Sequence, residues 1–379
     1  METNALEERF RFICDLQSGR WSMSELCERF GISRPTGYKW LARSRESGGS
    51  LEDRSRAPHR CPHRTSDGIE ELLLAARRRY GWGAKKLRNV LSVRHPQLVW
   101  PARSTINDVL DRHGLLRKKR RRKKWNHPGV APLTTTGPNQ IWPADFKGHF
   151  KLGGNGQYCY PLTITDHFSR SLLACRGLKS TTMNDSWPVF RALFREVGLP
   201  DAIRTDNGAP FASTGIHGLC WLNVKWLQLG IVHQRIHPAS PQENGTHERM
   251  HRELKRETAR PAASSMRSQQ SRFDAFRRRY NEERPHEGIG DRVPASLWAA
   301  SPRRYPEKTP RPEYDADMAV RLVSSVGTFW FRDKHVFLSK ALTGERVGLK
   351  EVDDGVWDIV YYRTLIGRID ERTRQITGV

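Results

Sequence analysis

Eight consecutive basic residues, Arg117 to Lys124, interrupt this chain. Like charges at that density repel one another and cannot enter an apolar interior, so no fixed fold is expected there. The run, which includes Lys118, Lys119, Arg120, Arg121 and Arg122, reads as a phosphate-tracking tether between two regions of different pattern. Ahead of it the period is helical. Leu6, Phe10, Ile13 and Leu16 recur at helical spacing, and Ser22 followed by Glu25 is a capping box that opens a second helix through Leu26 and Phe30. Gly31-Ile32-Ser33 makes a tight turn, and Ser33 is expected to cap a third helix through Tyr38, Trp40 and Leu41. Helix, short turn, helix is the helix-turn-helix pattern. Arg34, Thr36, Lys39 and Arg43 on the exposed side suit phosphates and base edges; a helical hairpin with a solvated basic face is the alternative.

Residues 48–65 are rich in Gly, Ser, Arg, Pro and His and read as a linker. A second helix-turn-helix-like unit follows, with stripes Ile69, Leu72, Leu73, Ala76 and Leu87, Val90, Leu91, and a third helix near whose cap Ser104 stands. Beyond the basic run, strands are expected at 140–146, 158–165 and 171–178. Helix 184–197, strand 202–205, helix 219–229, strand 231–236 and helices 244–260 and 268–283 then follow. That order predicts an α/β sheet with helices on both faces. From residue 318 short strands with Gly and Asp-Gly turns predict a small β-barrel. The expected division is therefore 1–47, linker 48–65, 66–116, basic linker 117–138, core 139–300, linker 301–317 and barrel 318–379.

Lys and Arg outnumber Asp and Glu by 65 to 41, a formal charge of +24. An excess clustered in runs makes a polyanion the natural partner, because each neutralised phosphate releases counterions. The six cysteines include no CxxC pair, which reads as reduced thiols in a cytosolic protein. His59, Cys61 and His63 lack the second half of a zinc site. No apolar run approaches a membrane span, so neither a membrane nor a targeting segment is expected.

Three carboxylates stand at informative places. Asp145 lies inside the aromatic-rich strand Ile141-Trp142-Pro143-Ala144-Asp145-Phe146, where an acid is expensive to bury without a compensating partner such as a metal. Asp206 follows a short strand in Arg204-Thr205-Asp206-Asn207-Gly208, the strand-end position at which open α/β sheets place their sites. Glu248 lies early on a helix. Hard divalent cations want oxygen ligands, and two of them roughly 4 Å apart stabilise both oxygens of an in-line displacement. Taken singly, each residue is as well explained as a turn former or a solvated helix acid. Lys147, Arg204, His247, Arg249, Arg252 and Lys255 nearby are candidates for positioning phosphates, or are plain surface charge. Asp166 reads as a hairpin-turn residue, and Glu253 lies about 140° around the helix from Glu248.

Asp145, then Thr205-Asp206-Asn207-Gly208 with Phe211, then Pro241-Gln242-Glu243-Asn244-Gly245 leading to Glu248 and Leu254-Lys255, resembles the DDE signature of retroviral integrases and insertion-sequence transposases. Leu133 to Gln140, Ala144 to Gly148, Phe211 to Gly215, His247 to His251, Tyr280 to His286, the Gly31-to-Trp40 block and Asp53 to Pro58 are similar to the 481 group of those transposases. The likeness covers nearly the whole chain. It implies an RNase H-like catalytic core in a bacterial cytoplasmic protein, with Asp145, Asp206 and Glu248 as catalytic metal ligands. Mg²⁺ is the implied cofactor, with Mn²⁺ substituting, and the implied partner is double-stranded DNA bound by a homo-oligomer. The implied chemistry is cleavage at the terminal inverted repeats of an element and strand transfer by the freed 3′ hydroxyl. The 41 residues between Asp206 and Glu248 exceed the integrase spacing, which suggests an inserted loop near Gly215 to Gly218. A repurposed binder that no longer cuts, and a nuclease of the same fold acting on RNA–DNA hybrids, are the competing readings. The helix-turn-helix units favour duplex DNA.

Overall fold

The structure, a computed structural model, describes residues 4–46, 49–54, 64–116, 134–154, 156–213, 215, 218–236 and 245–378. The chain forms two compact units, Met1–Ser66 and Asp67–Val379. In the first, helices α1 (Ala5–Gln17), α2 (Met23–Arg29) and α3 (Arg34–Arg45) enclose Phe12, Ile13, Leu26, Cys27, Trp40 and Leu51. The capping box forms: the Ser22 amide donates to Glu25 Oε2 (2.7 Å) and the Glu25 amide to Ser22 Oγ (3.3 Å). Gly31, at φ +63°, makes the turn that only a residue without Cβ adopts freely. Ser33 stands at the N-cap of α3 but makes no capping bond; its hydroxyl is 2.9 Å from that of Thr36 instead. The helices meet closely at Gly37, where a Cβ would lie 2.8 Å from Cys27 Sγ and from Met23 Sδ.

The second unit begins with α4 (Asp67–Tyr80), α5 (Ala84–Arg94) and α6 (Arg103–Arg112), packed on Leu73, Trp82, Leu87, Leu91, Trp100, Ile106 and Leu110. Ser104 sits inside the first turn of α6, and Ala102 holds the cap position. A six-stranded sheet follows: β1 (Ile141–Phe146), β2 (Phe150–Lys151), β3 (Tyr158–Thr165), β4 (Leu172–Leu178), β5 (Ala202–Thr205) and β6 (Val232–Arg235). Its order is β2-β3-β1-β5-β6, with β4 also on β3. β1–β3 and β3–β4 are antiparallel, whereas β1–β5 and β5–β6 are parallel.

Period-two alternation sends Trp142, Ala144, Leu162 and Ile164 into a core with α7 (Met183–Val197) and α8 (Trp221–Gln228), around Phe190, Phe194 and Trp226. Cys159, Leu172 and Cys175 share the second core with α9 (Gly245–Thr258) and α10 (Met266–Arg278), around Met250, Leu254, Phe273 and Phe276. Helices therefore cover both faces. This is the RNase H-like arrangement that the resemblance implies.

The three-helix bundle docks on the core through ion pairs. Glu283 accepts from Tyr80 Oη (2.7 Å) and Arg94 Nη2 (2.6 Å), and Lys85 Nζ reaches Asp291 (3.0 Å) and Glu287 (3.2 Å). The segment 301–317 is tied down at Arg303, whose guanidinium donates to the carbonyls of Pro200, Leu229 and Gly230.

The C-terminal region is all β. Strands β7 (Ala319–Leu322), β10 (Arg346–Asp353), β11 (Val356–Tyr361), β12 (Thr364–Asp370) and β13 (Ile376–Thr377) form an antiparallel sheet in the order β13-β12-β11-β10-β7. β8 (Thr328–Phe331) and β9 (Lys334–Phe337) form a separate hairpin over the same core. Leu219, Val224 and Leu227 enter that core, so the domain is seated on α8. Gln228 Nε2 donates across the junction to Glu345 Oε1 (2.8 Å) and Tyr361 Oη (3.0 Å). None of the described helices is long and apolar enough to cross a membrane.

Candidate active site

Two of the three acids come from adjacent strands. The parallel β1–β5 ladder pairs Ile141 with Ala202 and Pro143 with Arg204. Continued at the same offset, that register sets Asp145 level with Asp206, which follows the last residue of β5. Asp145 is paired antiparallel with Thr163, so both project from the face that α9 covers, opposite Ala144. The Asp145 side chain keeps 17% of its exposure. Asp206 is turned by its own backbone: Oδ1 accepts from the Gly208 amide at 3.2 Å. A Cβ at Gly208 would lie 3.3 Å from Oδ2 and 3.4 Å from Oδ1, so the carboxylate occupies space that glycine leaves open.

The third acid is delivered by α9, which Thr163 pins to the sheet. Thr163 Oγ1 donates to the Asp145 carbonyl (3.1 Å) and lies 2.8 Å from His247 Nε2 and 2.7 Å from His251 Nε2. His247, Met250, His251, Leu254 and Thr258 form the buried face of the helix. Burial depresses both imidazoles, His247 to about 4 and His251 to about 2, the latter with added repulsion from His247 and Lys147. Both rings are therefore neutral, and the 3.8 Å approach of His251 Nδ1 to Asp145 Oδ2 is not an ion pair. Glu248 lies at the exposed edge of that face, one turn before His251. Arg252 and Lys255 follow it at i+4 and i+7 on the same exposed stripe, with Arg249 beside them. None of these three cations forms an ion pair with another described residue.

Sequence reasoning placed His247 among phosphate contacts; at 3% exposure it is a packing residue instead. It missed Thr163 and His251 as well. The signal that finds them is a pair of histidines at i and i+4 in step with Met250 and Leu254. Asp166 proves to be a turn residue, 1% exposed, accepting from the Asn139 and Ser169 amides and the Ser169 hydroxyl. Glu253 is committed to Arg284 (2.8 Å) and Arg256 (2.6 Å). Lys147 is half-buried, two positions beyond Asp145 on β1's exit. On α3, Arg34 and Lys39 are exposed, Thr36 faces Ser33, and Arg43 stacks over Trp40 with its Nη1 donating to the Glu52 carbonyl. Residues 118–122, Glu243, His59, Cys61 and His63 lie outside the described residues.

Among the described residues no three His, Cys, Asp or Glu side chains stand close enough to hold an ion together. The donor chemistry fits a hard divalent cation all the same. Asp145, Asp206 and Glu248 offer carboxylate oxygens only, and the Asp206 carboxylate is oriented before any ligand arrives.

Models of the integrase core domain match residues 135–241 and 229–294. A helix-turn-helix domain matches 9–59 and a homeodomain-like domain 36–110. The model of the IS481 family transposase, C-terminal domain, matches 318–377. The chain joins an integrase core to an IS481-family transposase C-terminal domain. Its integrase-type sequence extends to insertion-element relatives. An uncharacterized 39.2 kDa protein of insertion element IS476 from Xanthomonas euvesicatoria is 29% identical over 195 residues, covering 50% of this chain and 52% of that protein. An uncharacterized 31.7 kDa protein of insertion element IS407 from Burkholderia multivorans is 25% identical over 194 residues, covering 49% and 65%. The match thus spans about half the length of the first of these relatives. Among solved structures, the HTLV-2 integrase catalytic core domain in complex with magnesium aligns with 42% of this chain and 97% of its own, at 17% identity and a TM-score of 0.33.

Proposed function

We propose that this chain is a DNA transposase that binds the terminal inverted repeats of an insertion sequence and carries out DNA cleavage and strand transfer there. The observation that carries this reading is the β1–β5 register, which sets Asp145 level with Asp206, beside a helix that Thr163 locks against the Asp145 strand. Asp145, Asp206 and Glu248 are the residues that would hold Mg²⁺ or Mn²⁺. Such cations, when bound, supply Lewis-acid stabilisation of the attacking and leaving oxygens. The chain's own contribution is to place its carboxylates and to orient the duplex. Arg249, Arg252 and Lys255 line the Glu248 side of α9 as phosphate contacts, and Lys147 extends them past β1. Arg34, Thr36, Lys39 and Arg43 belong to the reading helix, and residues 118–122 add sequence-independent affinity.

In the reaction, water displaces a 3′ oxygen from one phosphodiester, leaving a 3′ hydroxyl and a 5′ phosphate. That hydroxyl then displaces another 3′ oxygen in target DNA, so each P–O bond broken is matched by one formed. Because two DNA segments must be held together, the working form is a homo-oligomer on DNA, in the bacterial cytoplasm. The chain's division of labour follows residues 1–47 and 66–116 for reading, 139–300 for chemistry and 318–379 for support.

The test uses purified full-length protein and an oligonucleotide carrying the element end. Asp145→Asn and Glu248→Gln are expected to bind that end as the wild type does and to lose Mg²⁺-dependent nicking. Nicking that survives in either variant overturns the assignment.

A further inference from the structure

The seam between the three-helix bundle and the sheet domain gathers more cations than its acids can serve. Those acids are already engaged. Glu253 on α9 accepts from Arg284 at 2.8 Å and from Arg256 at 2.6 Å. Asp291 and Glu287 share the Lys85 ammonium at 3.0 and 3.2 Å, and Glu283 takes Tyr80 and Arg94. Lys86, the next residue of α5, is left over. Its half-buried ammonium forms no hydrogen bond or ion pair with another described residue. Repulsion from Arg284 exceeds the pull of Glu253 on it, and repulsion from Arg249 exceeds the pull of Asp291.

This surplus is fixed in place. The Arg284 side chain is only 9% exposed, and its guanidinium is set between Glu253 and the Tyr280 ring, 5.6 Å from the ring centroid. Its Nε is buried without an acceptor. On the other side of the seam, Leu87 is fully buried in the bundle and Lys85 is tied to Asp291, so α5 cannot roll to carry Lys86 into solvent. A half-buried cation without a counter-charge costs stability, and an anion that arrives there recovers that cost.

Position names the anion. Arg249 directly follows Glu248, and Glu253 stands about 7.5 Å of helix rise beyond it. A DNA strand brought to Glu248 carries its neighbouring phosphates along the same side of α9.

We propose that Lys86, Arg249 and Arg284 form a phosphate site shared by the helical bundle and the sheet domain, which grips a phosphodiester of the DNA strand lying along Glu248. The site deepens the transposase reading and rests on it. It brings the bundle into the grip on the strand to be cut, through a side chain of α5. A phosphate placed there turns a repulsive seam into a bridge, so bound DNA tightens the bundle onto the sheet domain.

The experiment measures binding of the full-length wild type, Lys86→Met and Lys308→Met to a duplex carrying the element end and to a scrambled duplex, by fluorescence anisotropy over a series of salt concentrations. Lys308 is exposed on the 301–317 segment and controls for the loss of one charge. Lys86→Met should weaken binding to both duplexes about tenfold and reduce the slope of log K against log salt by about one, because a phosphate contact is blind to sequence. Lys308→Met should change affinity by less than about twofold. Denaturant unfolding of the same samples separates a DNA contact from a docking contact: Lys86→Met should be at least as stable as the wild type at about pH 7. Unchanged affinity and slope in Lys86→Met, or an equal loss in Lys308→Met, overturns the phosphate site. A loss of affinity that comes with a loss of stability assigns Lys86 to docking and overturns it as well. Should the methionine variant aggregate, Lys86→Gln is read by the same criteria. A wild type that binds neither duplex removes the transposase reading itself.

Discussion

Asp145 and Asp206 occupy the same level of two neighbouring parallel strands, one within β1 and the other just past the end of β5. Asp145 is held in the ladder by its pairing with Thr163 on β3, two residues past the last β1–β5 pair, Pro143 with Arg204. Asp206 has no ladder and depends on its turn. Its position is therefore the easier of the two to disturb without unfolding the sheet.

Gly208→Ala tests that dependence. The added methyl meets the Asp206 oxygens at 3.3 and 3.4 Å and must displace the carboxylate by a few tenths of an ångström. A misplaced catalytic group of this kind is expected to slow end cleavage by about tenfold while changing stability by under about 1 kcal/mol. Single-turnover cleavage beside a urea melt reads both; an unchanged rate would show that the Gly208 turn does not set the acid.

Thr163→Val keeps the shape of the side chain and removes its hydroxyl. Two imidazoles of 3% and 4% residue exposure then lose their shared partner. Unsatisfied buried polar groups cost about 1–3 kcal/mol apiece, so a loss of about 2–4 kcal/mol in unfolding free energy is expected. Thr163→Ser should recover most of it. Equal stabilities for the valine and serine variants would deny the hydroxyl its role.

Glu248 and Glu253 are separated by function. Glu253 accepts from Arg284, whose side chain is only 9% exposed, so Glu253→Ala strands a buried cation and should cost about 2–3 kcal/mol. Glu248 is exposed, and Glu248→Ala should leave the denaturation midpoint within about 0.5 kcal/mol while abolishing cleavage. The opposite pattern would exchange the two assignments.

Lys86 carries the pH dependence of the docked helical bundle. Burial, then repulsion from Arg284 and Arg249, lowers it from 10.5 to about 8, against the pull of Glu253 and Asp291. The unfolded chain therefore binds this proton more tightly, so the group's contribution to stability rises as pH climbs from 8 toward 10.5, and the full penalty applies below 8. Lys86→Met removes the penalty. The variant should be more stable at about pH 7 by on the order of 1 kcal/mol, a figure reduced for solvent screening of a half-buried group. By about pH 9.5 the advantage should have shrunk. Denaturant midpoints at the two pH values decide it, and a constant difference would place the effect elsewhere.

Local pattern carried most of the element order. The Ser22–Glu25 capping box, the Gly31 turn and the alternation through Ile141 to Phe146 act within a few residues, and each forms where its spacing predicts. Asp145 and Asp206 were legible for the same reason: an acid in an apolar strand and an acid before Asn-Gly are local anomalies. Short-range signals misled where another contact competed. Ser33 has the chemistry of a cap, yet its hydroxyl faces Thr36. His247 looks like a polar neighbour of Glu248, yet the sheet buries it.

What the sequence by itself determined, then, is the identity and order of the helices and strands and the candidates for the acidic trio, since these follow from periodicity and residue chemistry along the chain. The anchoring of α9 was decided only by tertiary structure. Thr163 lies 84 and 88 residues from the two histidines it meets, and only the β1–β3 pairing turns its hydroxyl toward them. Whether a histidine is a surface base or a buried, neutral ring depends on the solvent it loses, and that loss is a property of the packed sheet and helix together.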